Sequence, residues 1–226
     1  LVVDASGRTS QAPEWLSSLG FAPPRQSTVN AFAGYASRIY RRPPGFDAGW
    51  KTLYVRPTPP EGSRGGLIIP IEGDRWHVTL VGMAGDYPPI DEAGFLEFAR
   101  SLPTPQFYEA IKGAEPLTKP NGYRSTQNRV NHYDKLPRYL EGFLVSGDAV
   151  YILNTVYAQG ITAALMGSQA QADCLEKQRN QGNLIGLAAE FQAQLRQAVA
   201  SAWHMATRED RRWPATEVTL DVAPVR

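Results

Sequence analysis

The stretch from Phe143 to Thr162 constrains the fold more than any other part of the chain. A short apolar strand, Phe143-Leu144-Val145, runs into Gly147-Asp148, and Gln159-Gly160-Ile161 opens a helical pattern soon afterwards. A strand, a glycine-led turn and a helix start, in that order, build a place where a phosphate or the edge of a cofactor can sit. Asp148, at the strand end, can accept hydrogen bonds from sugar hydroxyls. The backbone at Gln159, Gly160 and Ile161 can offer free N–H groups at the positive end of a helix dipole. For Gly147-Asp148 alone, an aspartate-capped turn of no special function is the plainer reading. The ordered continuation to Gln159-Gly160 favours a cofactor turn.

The remaining elements read as α+β. Residues 13–20 make a short helix between a proline and a glycine. Strand-like runs follow at Val29 to Tyr40 and Lys51 to Arg56, then at Gly66 to Ile71 and Arg75 to Val81 around the hairpin signal Glu72-Gly73-Asp74. These predict an antiparallel sheet of about four strands, with Tyr123 to Val130 as a further strand. Residues 91–101 and 105–112 read as covering helices, the first capped by Asp91 with a stripe of Phe95, Phe98 and Ala99. Residues 159–179 and 183–205 read as long helices; Leu184, Leu187, Phe191, Leu195, Val199 and Ala202 keep one face of the second apolar. No closing element is read in Leu220 to Arg226.

The run from Gly147-Asp148-Ala149 through Asn154 to Gln159-Gly160 resembles the second FAD-binding motif of the FAD-dependent monooxygenases and oxidoreductases of the aromatic-hydroxylase type (p-hydroxybenzoate hydroxylase-like, geranylgeranyl reductase-like). The resemblance implies that Gly147 and Asp148 face the ribityl chain, and that Gln159, Gly160 and Ile161 face the pyrophosphate and the isoalloxazine edge. Val2-Val3-Asp4-Ala5-Ser6-Gly7-Arg8-Thr9-Ser10 resembles the middle motif of the same family. That likeness puts Ser6, Gly7 and Arg8 near the pyrophosphate, a task for which the Arg8 guanidinium is well charged. Trp76 to Gly82 looks like the central strand of the family's substrate sheet, and Ala206 to Pro214 like a tail segment of bacterial members.

The resemblance implies an antiparallel substrate-domain sheet with covering helices, plus part of an α/β, Rossmann-like FAD-binding domain. Residues 1–27 and 136–182 would belong to the FAD-binding domain, 28–135 to the substrate domain, and 183–226 to a C-terminal helical segment and tail. The family's Gly-x-Gly-x-x-Gly unit occurs nowhere in the chain, so the expectation is an internal piece of a longer flavoprotein, inactive alone and poorly soluble at its open strand edges. Thr155 stands where the family usually has proline, and Ala158 where it usually has glycine, which favours a positive φ that alanine resists.

Composition removes several classes. A net charge of +1 over 226 residues gives no pull toward nucleic acid, and the short Arg38-Ile39-Tyr40-Arg41-Arg42 run reads as a solvated strand end. One cysteine, Cys174, in a helical stretch, excludes a disulfide framework and a multi-cysteine zinc site. No apolar run reaches the roughly 20 residues of a transmembrane helix, so the cytoplasm is the expected compartment. His77, His132 and His204 lack metal-ligand spacing; His77 reads as a satisfied structural histidine, with a catalytic base as the alternative, and His132 as lining a domain junction. Tyr35, Tyr40, Tyr54, Trp76 and Tyr123 are candidates for an aromatic substrate wall or for plain core. Hydrolase, zincin and nucleotide-triphosphatase motifs are missing. The function implied is an FAD-dependent oxidoreductase, of monooxygenase type, using NAD(P)H and acting on a hydrophobic or aromatic small-molecule substrate; the oligomeric state is open. The alternative is a flavin-free remnant serving as a binding or scaffold module.

Overall fold

The computed structural model describes residues 1–47, 49–179 and 182–222. In chain order these form β1 (Val2–Asp4), α1 (Ala12–Ser18), β2 (Gln26–Asn30), β3 (Gly34–Arg41), β4 (Leu53–Val55), β5 (Arg64–Ile71) and β6 (Arg75–Gly82). There follow α2 (Glu92–Arg100), α3 (Pro105–Ile111), β7 (Asn121–Tyr123), β8 (Asn128–Asn131), β9 (Phe143–Val145), β10 (Tyr151–Ile152), α4 (Gly160–Arg179), α5 (Leu187–Asp210) and β11 (Glu217–Val222). The fold is α+β, and the chain divides into two compact units, one of residues 1–30, 127–211 and 217–226, the other of residues 31–126 and 212–216.

The first unit contains a parallel pair, β1 with β9, and an antiparallel sheet in the order β10-β8-β2-β11. Its core is built by α5, whose Leu187, Phe191, Leu195 and Val199 recur every four residues and are all buried. They pack with Leu144 and Val145 of β9 and with Leu16 of α1. Helix α5 starts later than the sequence pattern suggests, at Leu187 after a left-handed Gly186 at φ 79°, and continues to Asp210. Strand β11 is a closing element that the sequence reading missed: Val218 pairs with Val29 and Thr219 with Thr28.

The second unit is a five-stranded antiparallel sheet in the order β4-β5-β6-β3-β7, with α2 and α3 packed on one face. Period-two alternation sends Trp76, Val78 and Leu80 of β6 inward against Phe95, Phe98 and Phe107 of the helices. The Asp91 cap forms as expected, its Oδ1 accepting the Gly94 N–H at 2.8 Å.

Four sequence readings change. The Val29 to Tyr40 run is two strands in different sheets, broken where Phe32 adopts φ 49° and leaves the extended path. Tyr123 to Val130 likewise splits into β7 and β8, with Thr126 between them donating to the Ala33 carbonyl at 2.6 Å. Arg38 is no solvated strand end: it alternates with Ala36 and Tyr40 on the buried face. Its guanidinium there donates to the Thr118 carbonyl and Glu92 and lies 5.0 Å from the centre of the Tyr40 ring. The aromatic wall does not exist as one surface. Tyr40 and Trp76 are core, Tyr35 stacks on Tyr123 at 5.4 Å, and Tyr54 is exposed. Trp76 does border an open hollow of this unit, beside Phe46 and Trp50, two aromatics that the sequence pattern did not mark.

One close approach fixes the end of β6. A Cβ added at Gly82 would lie 1.7 Å from the Asp86 carbonyl oxygen, which no side-chain rotation relieves. Gly82→Ala is expected to cost about 2–3 kcal/mol through forced backbone displacement, read as a lower urea midpoint at unchanged slope.

Candidate functional site

Strands β1 and β9 run in parallel register, Val2 opposite Phe143 and Asp4 opposite Val145, so their carboxyl ends finish side by side. The Ser146 N–H closes the ladder on the Asp4 carbonyl at 2.9 Å. Two short 3₁₀ turns leave from that edge, Gly7–Thr9 after β1 and Gly147–Ala149 after β9. The carboxyl ends of parallel strands are where open α/β sheets take ligands.

The first turn is held by Asp4, which the sequence reading left out of the site. Its carboxylate, almost wholly buried, accepts the Ser6 N–H at 2.9 Å, the Ser6 hydroxyl at 2.6 Å and the Ser10 hydroxyl. Burial pushes its pKa up, but the Ser10 and Ser6 hydrogen bonds outweigh burial and leave it below the ordinary carboxylate value. Ser6 and Ser10 thereby shape the loop, and Gly7 takes φ 86° at its bend. Arg8 stands in the same turn, its carbonyl accepting from Arg129 Nη2 at 2.7 Å.

In the second turn Gly147 adopts φ 61° and the Val150 N–H returns to its carbonyl at 2.9 Å. Asp148 follows, half-buried. Gly147 and Asp148 share a small hollow with Gly160, Ala163 and Ala164 at the start of α4, so the turn and the helix start lie together in space. Gln159 donates from Nε2 to the Tyr157 carbonyl at 3.2 Å, and its own carbonyl accepts the Ala163 N–H. The Ile161 side chain does not join the hollow; it is 80% exposed.

Ala158 resolves what the sequence left as a conflict. It sits at φ 54°, ψ 31°, in the left-handed region that its side chain disfavours. The backbone bend expected of a glycine is therefore present with alanine in it. What holds the bend is a buried polar network that the sequence did not disclose. Asp210, fully buried at the end of α5, accepts Asn128 Nδ2 at 2.6 Å, Asn154 Nδ2 at 2.9 Å and the Tyr157 hydroxyl at 2.7 Å. Asn154 in turn donates its N–H to Asn128 Oδ1 at 2.7 Å and caps the Val156 N–H. The network grips the turn on both sides of Thr155, where a proline would otherwise stiffen the chain.

Burial raises the Asp210 pKa to about 6, against the opposing pull of its Tyr157, Asn154 and Asn128 hydrogen bonds. Because the folded value lies above that of the unfolded chain, ionising this group weakens the fold as pH rises from near 4 to about 6, by roughly 3 kcal/mol, with no further loss above that window.

Of the histidines, His132 Nε2 lies 2.8 Å from Ser27 Oγ and its Nδ1 3.7 Å from Asp134. With Arg196, Tyr151 and Trp203 it lines a separate cavity of about 400 Å³ within the first unit. His77 is half-buried on β6, opposite Ile39 and Ile69. Cys174 is buried in α4. Among the described residues no helix is long and apolar enough to cross a membrane.

With this architecture in place, the fold is that of a segment of the FAD-dependent monooxygenases and flavin-dependent halogenases. A mutant of the flavin-dependent brominase Bmp2 superposes with a TM-score of 0.60 at 17% identity, over 91% of this chain and 50% of that one. PqsL, a probable FAD-dependent monooxygenase of Pseudomonas aeruginosa, gives a TM-score of 0.56 at 18% identity over 94% of this chain and 57% of its own. In sequence, the chain is 31% identical over 205 residues to Protein Rv3254 of Mycobacterium tuberculosis, covering 91% of this chain and 43% of that protein. The chain thus spans about half the length, or less, of the proteins it matches. No protein-family model matches it.

Two outcomes test the site's construction. Ala158→Gly is expected to raise stability by up to about 1 kcal/mol by removing left-handed strain, seen as a higher melting temperature; a lower one would show that the alanine is not strained. Carboxyl-carbon NMR should find one aspartate titrating near pH 6, within the range given by burial of Asp210, and that signal should vanish in Asp210→Asn.

Proposed function

We propose that this chain supplies the second flavin-binding turn and the substrate-side sheet of an FAD-dependent oxidoreductase of monooxygenase type. The observation that carries the reading is the placing of two sequence-distant turns, Gly7–Thr9 and Gly147–Ala149, at the ends of a parallel strand pair beside the start of α4. The residues present fit the group. Asp148 is a half-buried acceptor suited to sugar hydroxyls, Arg8 is a cation in the facing turn, and Arg129 Nε is buried with no hydrogen-bond partner among the described residues.

A bound flavin supplies the electron transfer and oxygen chemistry of such enzymes. The chain's own contribution is positioning. Asp148 would hold the ribityl hydroxyls, the N–H groups of Gly160 and Ile161 would face negative charge at the helix start, and Arg8 would answer the diphosphate. Asp210, through Asn154 and Tyr157, fixes the turn that aims those N–H groups. The five-stranded sheet is the proposed substrate side, and the Phe46 and Trp50 rings that line open hollows of its unit suit a hydrophobic or aromatic small molecule. NAD(P)H is the proposed reductant.

The full-length protein should purify yellow, or take up FAD on titration with quenching of flavin fluorescence. Asp148→Ala should weaken FAD about tenfold, the loss of a hydrogen bond to a charged acceptor. A folded, colourless full-length protein that takes up no FAD would overturn the reading.

A further inference from the structure

The cavity beside His132 belongs to neither turn and lies within the first unit. Its volume of about 400 Å³ falls in the range of small-molecule sites. Helix α5 makes one wall. Leu195, Val199, Ala202 and Ala206 turn one stripe of the helix into the core. Arg196, Ala200, Trp203 and His204 bring an adjacent stripe to the cavity at the same helical spacing. The sheet supplies Val130 of β8 and Tyr151 of β10, register partners that project from one face. Trp203 meets the Tyr151 ring edge to face at 6.0 Å, which gives the cavity an aromatic side.

Its polar side carries more positive than negative charge. Asp134, with a side chain only 9% exposed, is shared between His132 Nδ1 at 3.7 Å and Arg196 Nη1 at 3.5 Å. Both contacts are longer than a good charge-assisted hydrogen bond. Burial pushes the Asp134 carboxyl up, but His132 and Arg196 outweigh burial and leave it below its ordinary value, so it stays charged. Asp221 is likewise shared, between Arg25 Nε at 3.3 Å and Lys135 Nζ at 3.8 Å. Three cations thus divide two carboxylates. Arg196 spends one nitrogen on a long contact and its side chain is 62% exposed, so the rest of its fork can meet a ligand. Ser27, His132 and Asp134 form a row of the kind that serves hydrolases. The Ser27 hydroxyl, however, is buried, accepts the Asp221 N–H at 2.9 Å and does not line the cavity. The row fixes the imidazole as a wall and supplies no nucleophile.

We propose that this cavity binds a small aromatic carboxylate, with its ring against Trp203 and Tyr151 and its carboxylate on Arg196. Neither the two turns nor the five-stranded sheet assigned above to substrate contributes a residue to it. The occupant is therefore a second ligand, and its binding does not require the flavin reading to hold. Tyr151 also borders the small hollow at Asp148 and Gly160 and so stands between the two places.

The probes are benzoate, its neutral isostere benzamide, and benzylamine, titrated into the full-length protein with and without FAD. Calorimetry reads affinity, and the indole N–H signal of Trp203, identified by its loss in Trp203→Phe, reads location. Benzoate should saturate with a Kd below about 1 mM and shift the Trp203 signal. Arg196→Gln should weaken benzoate about tenfold, as loss of a charge-assisted contact implies, and leave benzamide unchanged; Arg196→Lys should fall between. Equal loss of benzoate and benzamide in Arg196→Gln would overturn the proposal, because that marks a disturbed cavity and no carboxylate contact. So would undiminished benzoate affinity in that variant, a Trp203 signal that benzoate leaves unmoved, or no benzoate binding. Benzylamine bound more tightly than benzoate, and lost in Asp134→Asn, would overturn it too, since the recognising group would then be the carboxylate. A protein that takes up no FAD yet binds benzoate as described would sink the flavin reading and leave this site standing.

Discussion

The candidate site hangs on three residues of parallel pairing. Val2, Val3 and Asp4 lie beside Phe143, Leu144 and Val145, and the register brings both strands to an end at one edge. A one-residue slip of β1 would carry Asp4 away from the Ser146 N–H and turn the faces of β1 over relative to β9. Leu144 and Val145 are buried in the α5 core, whereas Val2 is 61% exposed. The pair is thus pinned from the β9 side, and β1 is fixed through it.

Two carboxylates turn that edge into a shaped surface, by opposite electrostatics. Asp4 is over-supplied with donors, so its ionised form is favoured and the Ser6-to-Ser10 loop closes around it. Asp210 is buried deeply enough that three neutral donors do not restore the ordinary pKa. It nevertheless holds Asn154 and Tyr157, and with them the left-handed bend at Ala158. An unfavourable backbone conformation is maintained by tertiary hydrogen bonds rather than by the residue at the bend.

What was legible in the sequence was local. The strand at Phe143, the glycine turn, the start of α4, the Asp91 cap and the apolar stripe of α5 all follow from neighbours a few residues apart. What was hidden depends on partners far along the chain. Arg38 looked solvated because its charge is visible and the cover supplied by Thr118 and Glu92 is not. Asp210 lay in a charged run, Arg208 to Arg212, indistinguishable from a solvent face until α5 set it against Asn128 and Asn154. Strand β11 was an exception: Glu217 to Val222 alternates polar and apolar residues, a local strand pattern that the sequence reading passed over, and β2 beside it supplies the ladder. The glycine-to-alanine departure at residue 158 suggested a weakened motif, because sequence shows the side chain that resists a bend but not the network enforcing it.

Hydrogen–deuterium exchange on the full-length protein, with and without FAD, tests the central claim most directly. The account predicts that FAD slows exchange in two separated segments together, Ser6 to Ser10 and Gly147 to Ile161, because both end at the same strand edge. Protection confined to other segments, with these two unchanged, would contradict it.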